Sequence, residues 1–251
     1  MKRSGYFRKK PSPELESISR HAGKAIVDYK MINEGDKILV AVSGGKDSLT
    51  LLHVLNFRKT FMPIKFDIMA VHIDMGMPNH DTKELEQYFK DLDVPYRIEK
   101  LDFLKGNDWK EANCFWCSWN RRKALFKLAR DMGCLKIALG HHLDDIVETI
   151  LLNMFYRAEI GAMKPYQEFF GGELAIIRPL AYEEEKDIAV FAETEGFLFK
   201  TKVCQCPHDQ DSKRKFLKKL IMEIEKDNHC AKKNIFQALK NIKKDYLLTI
   251  E

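Results

Sequence analysis

The sequence lacks several features that would assign a class at once. No apolar run approaches the ~18 residues of a membrane-spanning helix, so no span is expected. The opening segment, "MKRSGYFRKKPSPE", carries no apolar block, so no secretory signal is expected and the cytoplasm is the expected compartment. There is no internal repeat and no low-complexity linker. Structural disulfides are not expected in a cytosolic chain of this size. Two nucleotide signatures are also missing: neither G-x-x-x-x-G-K-[ST] nor G-x-G-x-x-G occurs where a phosphate loop would fall.

The 251 residues suit one α/β domain with a small extension, and 45% hydrophobic residues suit a globular protein with a core. Net charge is +5 and unevenly spread. Residues 1–30 hold eight Lys/Arg against three Asp/Glu, and residues 213–251 hold eleven against five, which leaves the middle near −6. Basic ends around an acidic middle suit a polyanionic partner; solvated helix faces explain the same numbers.

Along the chain, apolar spacing alternates between the two periods of regular structure. A helix is expected from Ser12, its N-cap, through about residue 32. "KILVAV" (37–42) reads as a buried strand, followed by a helix over 47–57. Strands at 66–73 and 95–101 flank a helix at 81–92. A helix over 118–133 stops at Gly133, and a strand at 135–140 leads into a helix over 143–156. A fifth strand is expected at 173–180, then a helix over 183–195. This pattern predicts a Rossmann-like parallel sheet with helices on both faces, of class α/β. Past about residue 211 the pattern is helical and basic. The expected division is therefore a basic helical segment over 1–35, a sheet domain over 36–210 and a basic helical extension over 211–251. Ligands of such sheets sit beyond the carboxyl ends of the strands.

One strand-to-helix junction there stands out: "AVSGGKDSLTLL" (41–52). Glycines let backbone N–H groups turn toward an anion, and the helix that follows offers its positive end. Ser43 and Ser48 offer hydroxyls and Lys46 a charge. Asp47 would repel phosphate unless a cation lies between them, which suggests Mg²⁺. The stretch S-G-G-x-D-S after a buried strand resembles the loop of the PP-loop ATP pyrophosphatases. That resemblance implies an adenine nucleotide alpha-hydrolase type of fold and a loop that grips the pyrophosphate of ATP. The expected ATP contacts are Ala41, Ser43, Gly44, Gly45, Lys46, Asp47 and Ser48, with His72, Ile73 and Gly140 at neighbouring strand ends.

Two cysteine clusters add to this. Cys114 and Cys117 form C-x-x-C just before the helix that carries Arg121 and Arg122, and Cys204 and Cys206 form C-x-C. Such clustering points to a metal or redox site. Together with "GHHLDDIVETILLNMFY", "IIRPLAY" and "CPHDQDSKR", in that order, they resemble the tRNA-thiolating branch of the family, most closely the tRNA 2-thiocytidine synthetase group. The likeness spans most of residues 20–225. It implies a [4Fe–4S] cluster on Cys114, Cys117 and Cys206, with Cys204 as the alternative third ligand. Three ligands leave one iron open to bind hydrosulfide. Zinc is the competing metal, closed by Cys204 or His208. The resemblance further implies Asp47, Asp145 and Arg121 as catalytic residues. It implies tRNA as partner, with Lys213, Arg214, Lys215, Lys218 and Lys219 toward its phosphates, and Trp116 and Trp119 available to stack on a base. A sulfur donor is required, sulfide or desulfurase-derived, and a homodimer stays open. The expected reaction is adenylation of the 2-oxo group of an anticodon-loop cytidine, then replacement of oxygen by sulfur. Rival readings are a 2-thiouridine-forming enzyme, a lysidine-type ligase with structural zinc, and a non-catalytic metal-containing RNA-binding protein.

Overall fold

A computed structural model describes residues 10–76, 82–101, 114–196 and 211–246. The chain divides into two compact units, Met1–His142 with Lys164–Asp209, and Leu143–Met163 with Gln210–Glu251. The first helix belongs to the sheet unit because its apolar stripe enters the sheet's core.

In the first unit, strands β1 (Lys37–Ala41), β2 (Asp67–Asp74), β3 (Tyr96–Lys100), β4 (Lys136–Ala138), β5 (Tyr166–Phe169) and β6 (Leu174–Ile177) form one sheet in the order β3-β2-β1-β4-β6-β5. All neighbours are parallel except β5, which pairs antiparallel with β6. Strand β5 was not anticipated. "YQEF" is short, mixed in polarity and on the edge, so it shows neither alternation nor a buried run.

Side-chain alternation splits the core into two layers. Ile38 and Val40 of β1 face one cluster while Leu39 faces the other. Helices α1 (Pro13–Asp28), α2 (Lys46–Arg58), α3 (Lys83–Asp91) and α6 (Glu185–Glu195) supply the first cluster. Helix α4 (Cys114–Asp131) supplies the second through Leu125, Leu128 and Ala129. Helix α1 begins as expected: the Ser12 hydroxyl accepts the Leu15 N–H at 3.2 Å. Helix α4 begins earlier than expected, so Cys114 and Cys117 lie inside its first turn rather than before it. Gly133 (φ +66°) ends it, as the sequence suggested.

The second unit consists of α5 (Leu143–Arg157), α7 (Asp211–Asp227) and α8 (Ala231–Ala238), which pack on one another. Ile146, Ile150, Leu217, Ile221 and Phe236 are buried. No helix among the described residues is long and apolar enough to cross a membrane.

His53 of α2 is buried between the rings of Tyr88 and Phe191, at 5.5 and 5.7 Å. Burial pushes its pKa from 6.5 down to about 3. Glu183 shifts the other way: burial raises it, and the nearby His21, 2.7 Å away, offsets only part of that. Between about 3 and 6.5 the unfolded chain binds a proton at residue 53 that the folded chain refuses. Stability from this position is therefore lost as pH falls through that window, by about 1.4 kcal/mol per unit. Glu183 contributes the opposite sign above pH 4.5, where its stabilisation is lost as pH rises. His53→Leu should remove the acid-side slope and leave the Glu183 component. Urea midpoints of both proteins from pH 4 to 7 check this; parallel curves would refute it.

Candidate functional site

The loop after β1 is closed by its own hydroxyls. Val42 N–H still pairs with Val71 O at 2.8 Å, and the chain then turns out of the sheet. Ser48 Oγ accepts the Ser43 N–H at 3.0 Å and donates to Gly45 O at 2.9 Å. With its proton so used, it accepts from Ser43 Oγ, 3.1 Å away. Ser43 Oγ in turn accepts the Gly45 N–H at 3.3 Å. Ser48 thus holds the loop's shape from within, whereas Ser43 is exposed. Gly44 sits at φ +88°, a conformation that disfavours any side chain. Gly45 is the N-cap of α2 and has no side chain to cap it, which leaves that helix end open to an external anion.

The loop after β4 fixes this one in place. A Cβ on Gly140 would stand 2.9 Å from the Asp47 carbonyl carbon and oxygen and from Ser48 N, so only glycine fits. Strands β1 and β4 are neighbours where the strand order reverses, and their two loops therefore meet at the carboxyl end of the sheet. His142 is buried with Nε2 3.8 Å from Asp47 Oδ1. His141 Nδ1 accepts from Arg178 Nε at 3.3 Å, and Arg178 also donates to Lys164 O. His72 lies inside β2, and its Nδ1 donates to Val42 O at 2.8 Å. Its placement is therefore that of a pin between the strand and the loop. Ile73 is buried in the second core cluster.

Charge is concentrated at the helix start. Lys46 Nζ lies 3.1 Å from Asp47 Oδ1 and 3.1 Å from Glu185 Oε1. Burial works against its charge, but Asp47 and Glu185 outweigh that and raise its pKa. Asp47 Oδ1 is buried and accepts no hydrogen bond of good geometry. Such an oxygen suits a divalent cation shared with phosphates, since Mg²⁺ takes one or two carboxylates and substrate oxygens rather than a protein cage. No group of three metal-binding side chains occurs among the described residues. Arg178 and Glu185 were missed as site residues. Each acts across tens of residues or more (Lys46 and Glu185 are 139 apart), and no local pattern marks such pairs.

Helix α4 packs on the face of the sheet opposite α2; as the crossover between the parallel strands β3 and β4 it starts from the end of the sheet where the strands finish, the end that carries the loop. Cys117 is half-buried, one turn after position 114. Arg121 lies four and seven residues before Leu125 and Leu128, on the stripe that packs on the sheet, but is exposed. Cys204, Cys206 and His208 lie outside the described residues.

In the second unit, Asp144 pairs with Lys232 at 2.8 Å, Lys232 also reaches Glu225 at 3.1 Å, and Glu148 pairs with Arg214 at 3.4 Å. Burial opposes the Lys232 charge, but its two carboxylates raise its pKa. Glu148 is raised chiefly by burial, against the pull of Arg214. Arg214 and Lys213, expected toward RNA, are engaged within the unit, Lys213 lying 4.5 Å over the Tyr156 ring. Asp145 occupies the first turn of α5, its carbonyl accepting the Thr149 hydroxyl at 2.8 Å.

A sequence profile of the PP-loop domain matches residues 15–224. The chain belongs to the PP-loop family. The tRNA-cytidine(32) 2-sulfurtransferase of Geobacter sulfurreducens is 39% identical over 242 residues, covering 94% of this chain and 93% of that protein. The protein of that name from Syntrophotalea carbinolica is 39% identical over 240 residues, covering 93% and 92%. Among solved structures, the U34-tRNA thiolase NcsA from Methanococcus maripaludis, with its [4Fe-4S] cluster, superposes with a TM-score of 0.74. It is 21% identical and covers 91% of this chain and 78% of its own, a likeness of fold.

The family's loop is an ATP-binding element, and the Gly140 contact is what this PP-loop leans on. Gly140→Ala should leave the sheet folded, as read by circular dichroism, and reduce ATP affinity about tenfold or more by calorimetry. Unchanged ATP affinity would show that the two loops adjust independently.

Proposed function

We propose that the chain is an ATP-dependent tRNA sulfurtransferase that replaces the 2-oxo group of an anticodon-loop cytidine with sulfur. The observation that carries this reading is likeness to tRNA-cytidine(32) 2-sulfurtransferases along more than nine-tenths of the chain. The loop geometry supports it. Backbone N–H groups around Gly44 and Gly45 and the open end of α2 receive the ATP phosphates. Lys46 adds charge once its carboxylate partners yield it, and Asp47 holds Mg²⁺ against the phosphates. The base oxygen attacks the α-phosphorus and pyrophosphate leaves; sulfur then replaces the adenylated oxygen and AMP leaves. Arg121 is assigned to the reacting base, and Ala41, His72, Ile73 and Gly140 to the nucleotide's surroundings; Asp145 keeps the catalytic role that the resemblance implies. Cys114, Cys117 and Cys206 would hold a [4Fe–4S] cluster, whose open iron supplies a hydrosulfide site. Of this set, Cys117 is half-buried in the first turn of α4, the helix that follows β3.

Protein purified without oxygen should contain about four irons and four sulfides per chain, lost in Cys206→Ala. Incubated with ATP, Mg²⁺, sulfide and tRNA, it should release pyrophosphate and form 2-thiocytidine, read by mass spectrometry of nucleosides. Asp47→Asn should cut both products by about a hundredfold, a few kcal/mol of lost phosphate and cation electrostatics. Cys117→Ala should abolish thiolation. A 2-thiouridine product would replace the target base; a colourless protein with one zinc and full ligase activity would overturn the sulfur chemistry.

A further inference from the structure

Helix α4 carries two different faces past its first turn. Its inner stripe, Leu125, Leu128 and Ala129, is in the core. Its outer side carries Trp119, Lys123 and Lys127, with Arg122 on the flank, all exposed. The cations Arg122, Lys123 and Lys127 make no ion pair among the described residues, whereas α3 and α6, on the other face of the sheet, carry more carboxylates than cations. Helix α6 carries Glu185, Asp187, Glu193 and Glu195 against Lys186, and α3 carries Glu84, Glu86 and Asp91 against Lys83 and Lys90. The described part of α4 has a single carboxylate, Asp131, at its far end. Arg130 is the exception among its cations, paired with Glu173 at 2.8 Å.

Cations gathered without partners cost repulsion that a carboxylate neighbour would relieve, as at Lys46 and Lys232. Their retention on one face therefore points to an external polyanion. The aromatic ring at the head of the face narrows its chemistry. Trp119 is 52% exposed, and Lys123 Nζ lies 5.4 Å from its ring centroid. An exposed indole beside unpaired cations matches a nucleic-acid strand, whose bases stack while its phosphates meet the charges. The ring also stands two residues beyond Cys117, at the site end of the helix. Lys127 lies eight residues, about 12 Å, further along.

We infer that the outer face of α4 is a tRNA track: Trp119 stacks on a base next to the modified one, and Arg122, Lys123 and Lys127 bind the phosphates that follow. This rests on the tRNA reading above and places a binding surface on α4 rather than on the basic ends of the chain alone.

The test measures tRNA binding by the full chain against salt concentration. Neutralising three phosphate contacts in Arg122→Gln/Lys123→Gln/Lys127→Gln should lower the log–log salt slope by about 2 to 3 and weaken binding at low salt tenfold or more. Trp119→Ala should weaken binding roughly tenfold with the slope unchanged. A matched triple variant elsewhere, Lys30→Gln/Lys37→Gln/Lys65→Gln, changes net charge equally and should change neither. ATP affinity should be preserved in all, which reports an intact fold. Equal weakening by both triples would reduce the effect to net charge and overturn the track. Wild-type binding with an unaltered α4 variant would overturn the track alone, whereas no wild-type binding to tRNA would overturn the tRNA reading with it.

Discussion

The close approach of Gly140 to the backbone of Asp47 and Ser48 is the constraint on which the rest of the site depends. It exists because β1 lies in the middle of the sheet with β2 on one side and β4 on the other. Ile38, Leu39 and Val40 have no solvent exposure, so the strand that feeds the loop cannot shift without opening both core layers. The loop then begins at a fixed point, its first carbonyl pinned by His72. Two serine hydroxyls spend their hydrogen bonds on its interior, and Gly140 closes the remaining side. What is left facing outward is a helix end with unfilled donors. Anion binding is thus a consequence of how the loop is held, rather than a property of six residues in isolation.

Electrostatics in the first unit follow from the same arrangement. Lys46 is pinned between Asp47 and Glu185, so its charge is kept but already engaged. In the proposed reaction an incoming phosphate would compete with Glu185 for it, and a cation on Asp47 would tip that competition by neutralising the other carboxylate. The same pairing logic appears in the second unit at Lys232 and Asp144, where neighbours of opposite sign make partly buried charges tolerable.

The sheet was legible because its strands are buried runs between helix-period segments, a contrast visible in one sequence. The phosphate loop was legible because its special residues are contiguous. What escaped detection is non-local. Helix α4 begins at Cys114, a turn earlier than its apolar stripe reveals, because that stripe starts only where the helix reaches the sheet. The edge strand β5 has no buried face to announce it. The helices after residue 211 read as a tail, yet they share a unit with α5, since an amphipathic pattern shows that a face is buried without showing against what.

Regional charge misled in an instructive way. The middle of the chain sums to a negative value, which directs attention to the basic ends. Yet α4, within that middle, is a cationic helix whose charges are cancelled only in the sum, by acidic residues on α3 and α6. Fields act over about a Debye length, roughly 8–10 Å at ordinary ionic strength, so a partner at one helix face feels that face and not the regional total. A charge that is locally paired, like Lys46, acts only on a ligand close enough to displace its partner. Charges that make no ion pair among the described residues, like Lys123 and Lys127, would in the proposed track draw a polyanion from a distance and carry the salt dependence of its binding. The two kinds of cation in this chain therefore suit two kinds of anion: a small one that must be seated with precision at the loop, and a long one that must first be gathered and aligned.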